Sequence, residues 1–238
     1  MELTIDIGNT LSKAALFEHN KIIKKVALGS NLTASLRQLF SKYPVNAAIV
    51  SSVRKYPTGA VKLLESRTKL IQLSHTTKIP LKNRYRSATL GTDRIAAACG
   101  AAYLFPRKDL LVIDAGTCIT YDVVTRQGIF QGGSISPGLQ MRFDALHHFT
   151  GKLPSLRAGK FTSLPAITTE NSMISGVQQG IVFEIEGFIR HYQKKYGAVT
   201  VVMGGGDAEL FAGRIKSSIF AAPDLIHLGL YTILKLNV

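Results

Sequence analysis

The apolar positions of this chain form one pattern twice, at a fixed offset. Residues 3–30 read LTIDIGNTLSKAALFEHNKIIKKVALGS, and residues 111–138 read LVIDAGTCITYDVVTRQGIFQGGSISPG. An offset of 108 puts Asp6 on Asp114 and Gly8 on Gly116 without a gap. It also puts the polar turn Glu18-His19-Asn20-Lys21 on Arg126-Gln127-Gly128-Ile129. Each copy reads as strand, tight glycine turn, strand, polar turn and strand, which is a β-meander. Two copies in one chain predict two lobes of one architecture.

Between and after the meanders the apolar period changes. Residues 31–42 carry Leu32, Leu36, Leu39 and Phe40 at helical spacing, with Asn31 placed to cap the helix. The runs Ala47–Ser51 and Leu70–Leu73 read as short buried strands, and residues 74–92 as polar and irregular. Thr92-Asp93 opens an Ala-rich helix that reaches Tyr103, and Pro106-Arg107-Lys108-Asp109 marks a boundary. Beyond it, helices are predicted near 137–149, 171–196, 207–214 and 224–235, with a strand over Val199–Met203. The expected class is α/β with mixed sheets, divided into an N-terminal lobe, 1–107, and a C-terminal lobe, 108–238.

Composition narrows the function classes. A chain of 238 residues with 46% hydrophobic content and a mean hydropathy of +0.15 can bury a real core. No run of about eighteen uncharged apolar residues is present, which argues against a membrane partner. The N-terminus runs straight into the strand-like Leu3–Ile7 without a signal-peptide pattern, so a cytoplasmic location is expected. Cys99 and Cys118 lack metal-ligand or CxxC spacing and sit in apolar settings, where a small buried hydrophobe is the ordinary role.

Charge is the unusual quantity. The net +14 is concentrated in residues 19–92, which hold fourteen Lys and Arg against one acid, Glu65. Such a field attracts anions, among them nucleic acid and polyphosphates. The segment has few aromatics to stack bases and no helix-turn-helix or zinc-finger pattern, which argues against a nucleic-acid partner.

A strand ending in Asp-x-Gly-x-Thr suits phosphate. Glycine lets the backbone turn and approach a ligand, and successive N–H groups in the turn make an anion-binding concavity. The carboxylate can hold Mg²⁺ or its waters, and the cation bridges to phosphate oxygens. Asp6 with Asn9, Thr10 and Lys13, and Asp114 with Gly116 and Thr117, therefore read as two matched half-sites. Neither GxxxxGK[ST] nor GxGxxG at a strand–helix junction is present, so P-loop and Rossmann phosphate binding are not expected. Met203-Gly204-Gly205-Gly206-Asp207 could pack backbone against a flat ring such as adenine, or serve as a plain strand-to-helix turn capped by Asp207. Gly91-Thr92-Asp93-Arg94 is the candidate reacting segment. Asp93 at a helix N-terminus is favoured in its ionised form and could accept a hydroxyl proton, or could simply cap the helix.

Taken together these motifs resemble the type III pantothenate kinases, members of the sugar kinase, Hsp70 and actin-like ATPase superfamily. The resemblance rests on DIGNTxxK near the start, Tyr85 followed by GTDR, IDAGT, and Gly132-Gly133-x-Ile135-x-Pro137-Gly138. It continues through Leu153-Pro154, Thr169-Glu170 with Ser175-Gly176, and Gly204-Gly205-Gly206-Asp207. It implies a duplicated ribonuclease H-like fold, each lobe a mixed five-stranded sheet flanked by helices. It also implies ATP-dependent phosphorylation of pantothenate to 4'-phosphopantothenate, the first step of coenzyme A biosynthesis.

The resemblance assigns roles as well. Asp6, Ile7, Gly8, Asn9, Thr10, Leu11, Ser12 and Lys13 would form the first ATP loop, with Thr117 joining from the second. Asp93 would be the catalytic base, and Tyr85, Gly91, Thr92, Asp93, Arg94 and Thr169 would bind pantothenate. Asp114 would hold K⁺ or NH₄⁺, and Asp6 would serve Mg²⁺. Members are homodimers, with helices of the C-terminal lobe at the interface. Thr92 departs from the alanine common at that position, and the basic segment 19–92 exceeds what the family accounts for.

Overall fold

A computed structural model describes residues 1–87 and 89–238, and it divides into two compact units. The first comprises Met1–Arg107, Thr125–Gln131 and Asp224–Val238; the second comprises Lys108–Val124 and Gly132–Pro223.

The first unit is built on a mixed sheet in the order β3-β2-β1-β4-β5. Strand β1 (Glu2–Ile7) pairs antiparallel with β2 (Ser12–Glu18) and parallel with β4 (Ala47–Ser52); β2 pairs with β3 (Lys21–Leu28) and β4 with β5 (Lys69–Gln72). His19 and Asn20 take positive φ values of 49° and 64° at the β2–β3 turn, a hairpin geometry that Asn tolerates well. Alternation along β1 sends Leu3, Ile5 and Ile7 to one face. There they pack with Leu32, Leu36 and Leu39 of α1 (Leu32–Lys42) and with Ala60 and Leu64 of α2 (Thr58–Arg67). Asn31 caps α1 through its Oδ1, which accepts the Ala34 N–H at 3.0 Å.

The opposite face is covered by α3 (Thr92–Leu104) and the chain's last helix, α8 (Leu225–Asn237). The two helices approach until backbone meets backbone. A Cβ on Gly100 would overlap the Leu225 carbonyl, and one on Gly229 would overlap that of Ala96. Sequence order placed 224–238 in the C-terminal lobe, yet the helix belongs to the first unit. It buries Leu230, Ile233 and Leu234, and its buried His227 Nδ1 lies 2.8 Å from Thr4 Oγ1 on β1.

The second unit repeats the strand order as β11-β10-β7-β8-β9. Here β7 (Asp109–Ala115) lies antiparallel to β8 (Cys118–Val124) and parallel to β10 (Val199–Gly204), which pairs with β11 (Phe220–Ala221). Strand β9 (Ile129–Pro137) completes the meander. Its first residues, Ile129 and Phe130, count with the first unit, where they pair with β6 (Lys82–Asn83), a sixth strand added to the five expected. Helices α4 (Leu139–His148) and α5 (Thr169–Ile174) precede a π-helical turn, Ser175–Gln179, which leads into α6 (Gly180–Tyr196); α7 (Ala208–Ala212) follows β10. Phe143, Ile181, Ile185, Phe211 and Met203 lie at the centre of this core. With matching strand orders and helices flanking both sheets, the fold is a duplicated ribonuclease H-like, actin-like ATPase architecture.

Candidate active site

In the first unit the site begins where β1 runs out. The Gly8 N–H donates to the Leu11 carbonyl at 3.1 Å, closing a tight turn that leaves Asn9, Thr10 and Leu11 exposed. Asp6, one residue inside the strand, lies opposite Lys13 on β2 and beside Ser51 on β4. The Ser51 hydroxyl donates to Asp6 and lies 2.9 Å from Thr92 Oγ1, and Thr92 also reaches the Ser52 carbonyl at 3.4 Å. These bonds fasten the first turn of α3 to the end of the central strands.

That fastening gives Asp93 its place. Burial, reinforced by the negative charge of Asp93, pushes the Asp6 carboxyl up to about 6, against the opposing pull of Lys13 and the Ser51 hydrogen bond. Asp93 Oδ1 accepts its neighbour's N–H, that of Arg94, at 2.8 Å. Gly91 leaves room for this carboxylate: a Cβ there would meet the same oxygen and force the Asp93 side chain to shift. Arg94 is buried, and its guanidinium lies 5.4 Å from the centre of the Tyr85 ring, a cation–π contact. Tyr85 in turn leans on the buried Phe130 at 6.4 Å between ring centres.

In the second unit the loop after β7 is held from two sides. Gly116 N–H donates to the Cys118 carbonyl at 2.9 Å, and Asp114 has Thr120 and Gly204 as register neighbours. A Cβ on Gly138 would overlap the Gly116 and Thr117 carbonyls. Gly205, at φ +98°, brings backbone against Ala115, whose carbonyl accepts the Asp207 N–H at 2.9 Å. Gly205 is thus needed for this close approach, whereas a Cβ on Gly206 would meet nothing within 4 Å. Asp207 stands at the N-cap of α7 but makes no side-chain cap bond, and burial raises its carboxyl above the usual range.

Thr169 stands elsewhere, at the start of α5, where Thr168 caps the helix by accepting the Asn171 N–H at 3.2 Å. It borders a groove of about 1200 Å³ whose walls include Met141, Phe149, Leu153, Ile167 and Met173. Gln178, fully buried in the π-helical turn, bonds both the N–H and the carbonyl of Gly159 and so pins the segment that precedes α5.

Comparison with known proteins decides the family. The profile of type III pantothenate kinases matches residues 2–191. A type III pantothenate kinase from Cytophaga hutchinsonii is 43% identical over 239 residues, covering the whole of both chains. The chain belongs to the type III pantothenate kinase family. Two solved structures share the fold alone. A protein of Campylobacter jejuni described as a Baf family transcriptional activator superposes with a TM-score of 0.64 at 24% identity, over 99% of this chain and 98% of that one. The ROK hexokinase of Thermus thermophilus gives 0.50 at 13%, over 98% of each chain.

Against the family's motifs, the first unit gathers Asp6 to Lys13, Tyr85 and Gly91 to Arg94, while the second holds Asp114, Thr117 and Thr169. Ser51 belongs to no motif, yet the short strand parallel to β1 brings it beside Asp6. Arg54, one of many cations in its segment, places its Nη2 3.4 Å from Ser12 Oγ. Of the cysteines, Cys99 is buried and its thiol pushed up to about 12, consistent with an inert side chain, whereas Cys118 is half-buried. Among the described residues no helix is long and apolar enough to cross a membrane.

Proposed function

We infer that this pantothenate kinase phosphorylates pantothenate with ATP to give 4'-phosphopantothenate, the first step of coenzyme A biosynthesis, with Asp93 as its base. The observation that carries the assignment is the placement of Asp93 on the first turn of α3, which Thr92 fastens to Ser51 and Ser52 beside Asp6 at the end of the glycine loop. Residues 6–13 would bind the ATP phosphates through loop amides and the Thr10 and Ser12 hydroxyls, with Thr117 contributing from the second loop. Tyr85, Gly91, Thr92 and Arg94 would shape the pantothenate pocket, Arg94 supplying positive charge and Tyr85 holding that guanidinium in place. Thr169 would add a hydroxyl contact to the same substrate. Asp93 would orient the acceptor hydroxyl and take its proton as the phosphoryl group transfers.

Cations belong to this reading. Among the described residues no three His, Cys, Asp or Glu side chains gather into a metal cluster. The carboxylates of Asp6 and Asp93 nevertheless offer oxygen ligands and a local negative charge strong enough to perturb ionisation, which suits a hard cation that keeps its waters. Asp6 would hold Mg²⁺ there. Asp114, flanked by Thr120 and Gly204, would hold K⁺ or NH₄⁺. Bound cations would neutralise charge on the polyphosphate.

A homodimer completes the proposal. The groove beside Thr169 presents Phe149 at 82% and Ile167 at 93% exposure, a cost that burial against a second copy would remove. A substrate panel tests the whole assignment: ADP release should require pantothenate and should not be supported by glucose or acetate. Release with a sugar alone would overturn it.

A further inference from the structure

Arg54 and Lys55 follow β4 after the single residue Val53, at the end of the sheet where the first glycine loop lies. The Val53 N–H donates to the Ile7 carbonyl at 3.2 Å, so the turn carrying both cations is fastened to the strand that enters the loop. Arg54 Nη2 donates to Ser12 Oγ at 3.4 Å, where the chain leaves the loop. Ile7 and Ser12 are register partners, so Arg54 is tied to the loop's base through both of its strands.

The two sides of that base differ in charge. Alternation along β1 turns Asp6 towards the α3 face, where Asp93 acts on it, and Ile7 towards the α1–α2 face. Arg54 and Lys55, both exposed, line a cavity of about 590 Å³ on the latter side with Tyr56, Gln72 and Val61. Among the described residues no acid lines that cavity, and the one acid of segment 19–92, Glu65, lies near enough to act on its wall residue Tyr56. Two adjacent cations repel each other, and the Ser12 hydroxyl, being neutral, brings no negative charge to the guanidinium. An anion bound at the loop would compensate it.

We propose that Arg54, with Lys55 beside it, binds the polyphosphate of the nucleotide at the first glycine loop. A guanidinium fork matches phosphate oxygens in pairs, which a loop of backbone amides alone does not supply. The inference rests on reading residues 6–13 as the nucleotide loop. It also gives a role to two of the fourteen cations in segment 19–92.

Equilibrium binding to the full chain tests this, using a non-hydrolysable ATP analogue and adenosine as probes. Arg54→Gln should weaken the analogue by about 5–30-fold and leave adenosine unchanged, since only the analogue carries phosphates. Arg54→Lys, which keeps the charge but not the fork, should recover part of the loss. Thr10→Ala, altering the loop itself, separates the two levels of the reading. If Thr10→Ala weakens the analogue and Arg54→Gln does not, the proposal fails and the loop assignment stands. If neither variant changes the analogue's affinity, both fail. An equal loss for adenosine and analogue in Arg54→Gln would mark a merely structural residue and overturn the proposal.

Discussion

The charge of Asp93, on the first turn of α3, adds to burial in raising the carboxyl of Asp6, at the end of β1, to about 6. Two acids are held near each other at the edge of a glycine loop, an arrangement that costs stability unless a cation or a proton intervenes.

Asp6 should make stability depend on pH in a stated direction. Its folded pKa, about 6, lies above the ordinary value of 3.8, so its contribution is fully present below the ordinary value and is lost as pH rises through about 6. Asp6→Asn removes that titration. The variant should be more stable than the parent at pH 7.5, by up to about 3 kcal/mol, and the gap should close by about pH 4. Denaturant titrations at the two pH values, without divalent cations, read the difference.

The α3–α8 crossing admits no side chain at two positions. Gly229→Ala would drive its Cβ into the Ala96 carbonyl, and Gly100→Ala into that of Leu225. Backbone cannot turn aside as a rotamer can, so each change should cost about 1–3 kcal/mol or more. Urea midpoints unchanged from the parent would refute the close approach.

Much of this was legible in the sequence, and the omissions have physical causes. The repeat at offset 108 gave both meanders because strand alternation and glycine turns leave a local mark. Asn31 and Asp93 were readable because caps and first-turn acids are local too. Helix α2 was not foreseen: Lys62 and Glu65 interrupt Ala60, Val61, Leu63 and Leu64, and Pro57 gives no side-chain cap. The membership of α8 in the first unit depends on Gly229 meeting Ala96, a contact between residues far apart in the chain. Segment 19–92 buried the signal of Arg54 among like charges; its contact with Ser12 comes from the fold and leaves no local mark in the sequence.

Asp114 should govern activation by the monovalent cation. Asp114→Asn should leave little response of the rate to added K⁺ or NH₄⁺, while nucleotide-independent stability stays near that of the parent. A rate–K⁺ curve that matches the parent's would remove Asp114 from that role.

The apolar groove should carry the dimer. Ile167→Glu places a charge on a side chain 93% exposed, so the free unit tolerates it while a second copy would have to bury it. Light scattering should find the parent at twice the monomer mass and the variant at the monomer mass. A dimeric variant would move the interface elsewhere.

The most direct measurement of the central claim is mass-spectrometric detection of 4'-phosphopantothenate formed from ATP and pantothenate, with the parent chain and with Asp93→Asn side by side. The parent should form the product, and the variant should be slower by about 10²–10⁴-fold while still binding nucleotide. Product formed by the variant at the parent's rate, or none formed by the parent, would contradict the account.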